Sequence, residues 1–178
     1  MNLNLSERFL SILTKHSDYL VVSGFVSICS GRTRATEDVD VLVPVMEREK
    51  FEKLFYNLIE QGFWCYQGDS VGEVYSFIEK ISNIRFAEKD TMYPNIEFIP
   101  INETKRAQFF EFTHPQKIRI KEFDFKIPPI EFEILYKEIV LKGDKNIADA
   151  RHLRTFFKDI IKEERFNDYE PIIKEVMK

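Results

Sequence analysis

The sequence predicts an α+β fold, a mixed β-sheet flanked by helices and followed by a C-terminal helical lobe. Three observations lead there. Residues 5 to 16 and 47 to 61 carry apolar stripes at helical spacing. Short β-branched and aromatic runs, bounded by Gly, Pro, Asn and Asp, lie between and after them as far as residue 127. Beyond Pro128-Pro129 the strand pattern stops and only helical spacing remains. The predicted organisation is therefore an α+β domain over residues 1–129 and a helical lobe over residues 130–178, together small enough to pack as one body.

Leu5, Phe9, Leu10, Ile12 and Leu13 form one face of the opening helix, with Ser6 and Glu7 as its start. Residues 19 to 22 are a nearly all-apolar run, read as a buried strand that Ser23-Gly24 turns tightly. About two helical turns follow over residues 25 to 30. A polar stretch then leads to Val39-Asp40-Val41-Leu42-Val43, a strand with an acid embedded in it and Pro44 at its end. Phe51, Leu54, Phe55, Leu58 and Ile59 mark the second long helix, which Gly62 stops. Residues 63–66, 73–79, 84–87 and 96–99 have strand composition and predict an extension of the sheet. Residues 118–120 and 123–127 alternate as a hairpin. Phe132, Leu135, Tyr136, Ile139 and Val140 predict a helix over residues 130 to 141 that Gly143 closes, and two or three more helices follow over 147–157 and 169–177. Phe9, Phe51, Phe55, Phe109 and Phe110 are core candidates by the same spacing.

Composition narrows the function classes. The 178 residues are 44% hydrophobic and 31% charged, an ordinary globular composition. The 26 basic and 30 acidic side chains leave a net charge of −4, so no overall positive field holds a polyanion, and any nucleic acid would be held locally. Cys29 and Cys65 make neither a disulfide framework nor a metal cluster, which predicts a reducing compartment, the cytoplasm by default. No stretch approaches the ~20 apolar residues of a membrane helix, and the start lacks a secretion pattern. The three histidines have no metal-ligand spacing, which disfavours zinc. The chain is expected to be a monomer or small homodimer.

The chemistry concentrates between residues 23 and 43. Asp38 and Asp40 are two apart, so a strand starting there places both carboxylates on one face. Two carboxylates so close repel until a cation neutralises them, and hard divalent ions prefer oxygen ligands. Upstream, Arg32 and Arg34 supply guanidinium forks for phosphate oxygens, and the Ser23-Gly24 turn lets backbone N–H groups approach an anion.

These residues resemble the nucleotidyltransferase fold of the DNA polymerase β superfamily in its small prokaryotic form. That group carries a glycine turn after the first strand and then Gly-x-x-Arg-x-Thr/Ser-x-Asp-x-Asp. Gly31, Arg34, Thr36, Asp38 and Asp40 match every defined position, with Ser23-Gly24 as the turn. The resemblance implies a third acid on another strand. Glu97, alternating with apolar residues in Asn95-Ile96-Glu97-Phe98-Ile99, is the preferred candidate, and Asp124 in Phe123-Asp124-Phe125 is the alternative. A second resemblance, to abortive-infection and toxin–antitoxin nucleotidyltransferases, covers residues 131–137 and 142–153, where Lys137, Lys142 and Lys145 otherwise read as a solvated helix face and Asp149 as a cap or a partner of Lys145.

By resemblance, Asp38, Asp40 and Glu97 would hold two Mg²⁺ ions, with Mn²⁺ an alternative. Ser23, Gly24, Arg32, Arg34, Thr36, Lys137 and Lys145 would contact the nucleotide and its phosphates. The implied reaction transfers a nucleoside monophosphate from an NTP to a small molecule, an RNA 3′ end or a protein side chain, releasing pyrophosphate. A rival expectation is a non-catalytic, antitoxin-like or regulatory binder on the same fold, with a cognate protein partner; the glutamate at 97 and the single glycine of the turn keep it open.

Overall fold

The computed structural model of the protein describes residues 3–33 and 38–177. Helix α1 (Leu3–Leu13) leads to strand β1 (Leu20–Val22), helix α2 (Gly24–Cys29) and strand β2 (Asp38–Pro44). Then come α3 (Arg48–Glu60), β3 (Phe63–Cys65), α4 (Val71–Glu79), β4 (Ile84–Glu88) and β5 (Asn95–Ile101). Helix α5 (Arg106–Thr113) precedes the hairpin of β6 (Gln116–Ile120) and β7 (Phe123–Ile127). Helices α6 (Ile130–Tyr136), α7 (Asp144–Phe156) and α8 (Glu163–Lys174) complete the chain, with a π-helical turn at Lys137–Leu141 after α6 and a 3₁₀ turn at Glu175–Met177.

The five-stranded sheet runs β1-β2-β5-β4-β3, with β2 and β5 parallel and β4 antiparallel to both β5 and β3. Strands β6 and β7 form a separate antiparallel pair. The predicted α+β architecture is thus the observed one. Side chains alternate across the sheet. Val39, Val41, Ile96, Phe98, Ile84, Phe86, Phe63 and Cys65 all point to one side and are buried. There they meet the helices: Phe9 of α1 lies 5.5 Å from Phe63 and 5.6 Å from Phe86, and Phe51 and Phe55 of α3 each lie 6.4 Å from Phe98 and Phe86 respectively. The alternate residues of the same strands carry the polar chemistry.

Two compact units divide the chain. The first comprises residues 1–20 and 35–102, the second residues 21–34 and 103–178. Phe25 of α2 packs on Phe125 of β7 in the second unit, with ring centroids 4.8 Å apart. The change from strand to helix at Pro128-Pro129 lies inside that second unit.

Several local expectations need correction. The sequence predicts strand over residues 73–79, but they belong to α4, because Ser70 caps it: its hydroxyl accepts from the Glu73 N–H and donates to the Glu73 carboxylate. Val71, Val74 and Ile78 then fall on one buried face. Helix α5 replaces an unassigned stretch and leaves Phe109 and Phe110 half-buried rather than in the core. Helix α8 begins at Glu163, a turn and a half before the predicted start, with Pro171 inside it.

Candidate active site

Strand β2 carries Asp38 and Asp40 on the face opposite the core, and the parallel register sets Asp40 against Glu97 and Asp38 against Asn95 on β5. Asp38, Asp40 and Glu97 each offer a carboxylate oxygen within 4.8 Å of the others, and all three are half-buried. The trio arises from simple geometry: two acids at i and i+2 on one strand, and a third on the neighbouring strand about 4.8 Å away. Asp124, the alternative third acid, sits instead on β7 in the second unit, 4.0 Å from Arg119.

The row continues beyond the acids. Arg85 of β4 is the antiparallel register partner of Glu97, and its guanidinium donates to Glu97 Oε1 at 3.1 Å. Asn83 donates to the same oxygen, also at 3.1 Å. The Arg85 N–H donates to Gln67 Oε1 at 2.7 Å, and its carbonyl accepts from the Tyr66 N–H at 2.9 Å. Trp64 and Tyr66 stack at 4.6 Å; the Trp64 indole donates to the Thr91 and Glu88 carbonyls and the Tyr66 hydroxyl to that of Met92. This pins the loop that enters β5. Asn95 is 2% exposed, and its side-chain oxygen has no hydrogen-bond partner among the described residues.

An oxygen-only donor set of three clustered carboxylates fits a hard divalent cation better than a soft one.

The remaining predicted site residues lie in the second unit or outside the described residues. Arg34 and Thr36 are outside them. Ser23 joins β1 to α2 in a strained backbone, φ +64° and ψ −129°, a conformation more natural to glycine, and Gly24 is the buried first residue of α2. Arg32 follows Gly31, whose φ of +92° ends α2 cleanly. The Arg32 Nε pairs with Asp149 Oδ1 at 2.5 Å, while His152, one turn along α7, donates to the Ser30 carbonyl at 3.0 Å. Helix α7 thus grips the turn that opens the Gly-x-x-Arg motif. Asp149 pairs with Arg32 and Lys137 from the middle of α7, whose N-cap is Gly143.

Lys137 was expected on a solvated face and is instead fully buried. It lies 3.0 Å from Glu133 and 3.5 Å from the second oxygen of Asp149. Burial of a bare ammonium is costly, so two carboxylates surround it. Lys142 and Lys145 are exposed, as expected. Glu111 completes the cluster: burial, and then the Glu133 charge, push its carboxyl well above the ordinary range, with Lys137 partly opposing them. Sequence reasoning missed Glu111, Arg85 and Asn83. The signal for Arg85 was available, a cation alternating with Ile84, Phe86 and Ala87 just as Glu97 alternates with its neighbours. Burial raises the Cys29 and Cys65 thiols to about 12 and about 11, so neither is a thiolate at neutral pH.

Comparison with solved structures decides the architecture. An antigenic nucleotidyltransferase-like protein from Paracoccidioides brasiliensis superposes with a TM-score of 0.57 at 14% identity, covering 98% of this chain and 87% of that one. The crystal structure of ANT(2″)-Ia in complex with adenylyl-2″-tobramycin gives 0.57 at 13% identity, covering 98% of both chains. The fold is that of a nucleotidyltransferase. A solution structure of the antibiotic-resistance factor ANT(2″)-Ia matches equally, with a TM-score of 0.57 at 13% identity, over 98% of this chain and 91% of that one. No protein-family model and no curated protein matches the sequence. At these identities the shared property is the nucleotidyltransferase fold itself, and no described helix is long and apolar enough to cross a membrane.

Proposed function

We propose that the protein transfers a nucleoside monophosphate from an NTP to a hydroxyl-bearing acceptor, releasing pyrophosphate. The observation that carries this reading is the Asp38–Asp40–Glu97 cluster on the polar face of a sheet with the nucleotidyltransferase fold. The adenylyl-tobramycin named for ANT(2″)-Ia supports a hydroxyl compound as acceptor. Here the acceptor is a small molecule, an RNA 3′ end or a protein side chain.

Asp38, Asp40 and Glu97 would hold the Mg²⁺ ions, with Asn95 beside them. When bound, Mg²⁺ neutralises triphosphate charge and makes the acceptor hydroxyl easier to deprotonate. The acceptor oxygen attacks the α-phosphorus, the bond to the β-phosphate oxygen breaks, and the electron pair leaves with pyrophosphate. Glu97 takes the hydroxyl proton. By the family resemblance, the backbone N–H groups of the Ser23-Gly24 turn, with Arg32, Arg34, Thr36 and Lys145, would hold the departing phosphates, as phosphoryl transfer needs donors for the charge that develops on the leaving group. Lys137, enclosed by Glu133 and Asp149, acts by fixing Asp149 and through it Arg32.

Calorimetric titration with each of the four NTPs, with and without Mg²⁺, tests the reading. Mg²⁺-dependent binding of at least one NTP is expected, and Asp38→Asn with Asp40→Asn should lower its affinity at least tenfold. Binding unchanged in that double variant, or absent in the wild type, sinks the proposal.

A further inference from the structure

Glu97 is not held by its strand alone. Two donors from the β4 side, the Arg85 guanidinium and the Asn83 amide, converge on the same carboxylate oxygen, Oε1, each at 3.1 Å. Oε2 takes part in neither bond. Glutamate has one more rotatable bond than aspartate, so a glutamate in this row has more freedom to lose before its oxygen stands beside Asp40. Two donors on one oxygen remove that freedom, because they fix the plane of the carboxylate as well as its position. Arg85 is itself held in place: it is in register with Glu97, and its own N–H is bonded to Gln67.

We propose that Arg85 and Asn83 are positioning residues that clamp Glu97 through Oε1 and so present Oε2 to the divalent cation shared with Asp38 and Asp40. The inference rests on the metal-dependent reading above. The clamp accounts for how a glutamate serves at this place in the row, since the two donors fix what its longer side chain leaves loose. Supporting partners of metal ligands typically change metal affinity by about 10–100-fold when removed.

A plain electrostatic role for Arg85 has the opposite sign, which makes the proposal testable. If Arg85 only contributed charge, Arg85→Ala would remove a cation beside the site and Mn²⁺ would bind more tightly, while Asn83→Ala, which changes no charge, would do nothing. Both positions are exposed, so the variants should fold, and circular dichroism melting verifies it. Mn²⁺ alone is titrated into the full chain and free ion is followed by electron paramagnetic resonance, for wild type, Asn83→Ala, Arg85→Ala, Arg85→Lys and the Asp38→Asn/Asp40→Asn control. The clamp predicts about tenfold weaker Mn²⁺ binding in both alanine variants, and a smaller loss in Arg85→Lys, which keeps one donor. Tighter binding in Arg85→Ala, or unchanged binding in Asn83→Ala, overturns it while leaving the metal site standing. Wild type that binds no Mn²⁺ overturns the metal reading itself, and the clamp with it.

Discussion

Ser23 holds a backbone that L-residues rarely adopt, φ +64° and ψ −129°, and its side chain makes no capping bond to α2. Such positions cost of order 1–3 kcal/mol. Glycine relieves the strain but adds freedom to the unfolded chain, so Ser23→Gly should stabilise the protein by roughly 1 kcal/mol, seen as a rise of about 2–4 °C in Tm. If the turn works through its N–H groups, NTP affinity in that variant stays within about twofold of wild type. A lower Tm would show that the Ser23 hydroxyl contributes more than its backbone costs. At this scale the sequence was most legible. The i, i+2 spacing of Asp38 and Asp40 and the alternation around Glu97 state directly which face they share. What could not be read was which donors come to them, because Arg85 and Asn83 reach Glu97 through strand order, and strand order is a long-range property.

Among the elements, α7 carries the second unit's charge chemistry. Asp149 is fully buried and divides its two oxygens between Arg32 and Lys137. Removing one partner of a buried pair leaves uncompensated charge, at a cost of about 3–5 kcal/mol. Asp149→Asn should therefore destabilise the fold by about 3 kcal/mol in urea denaturation, and adding Lys137→Met should restore part of that loss. Strictly additive effects would mean that the two residues do not act together. The helical spacing of α6 and α7 was visible in sequence, but their ion pairs were not. Lysines at 137, 142 and 145 look alike on a helical wheel, and only the packing of α6 against α7 tells the buried one from the exposed two. Helix α4 teaches a related lesson: its β-branched residues imitate a strand, and the N-cap at Ser70 outweighs them.

At the scale of the molecule, the buried acid of α5 links stability to pH. Glu111 keeps its proton in the folded chain well above the 4.5 usual for glutamate, chiefly because burial disfavours the charged form. The unfolded chain gives that proton up near the ordinary value. From about pH 4.5 upward the folded state therefore binds more protons than the unfolded state, and the contribution of Glu111 to stability falls as pH rises through that window. Denaturant midpoints between pH 5 and pH 8 should decline less steeply in Glu111→Gln than in wild type; equal slopes would show that another group sets the dependence. The global architecture was partly legible. Alternating strand and helix signals gave the α+β class, but the grouping of residues 21–34 with 103–178 depends on contacts such as Phe25 with Phe125, one hundred positions apart, which no local pattern encodes. That grouping has a genetic consequence. The chain passes between its two units after residues 20, 34 and 102, so no contiguous fragment contains the second unit without also containing the acids of the first. A stop codon after residue 102 would leave α2 with Phe25 stripped of its partner on β7, and a gene fragment cloned from residue 103 would lack the Ser23 turn and Arg32. Recombination can therefore exchange the second unit only by replacing two separate stretches of the gene at once.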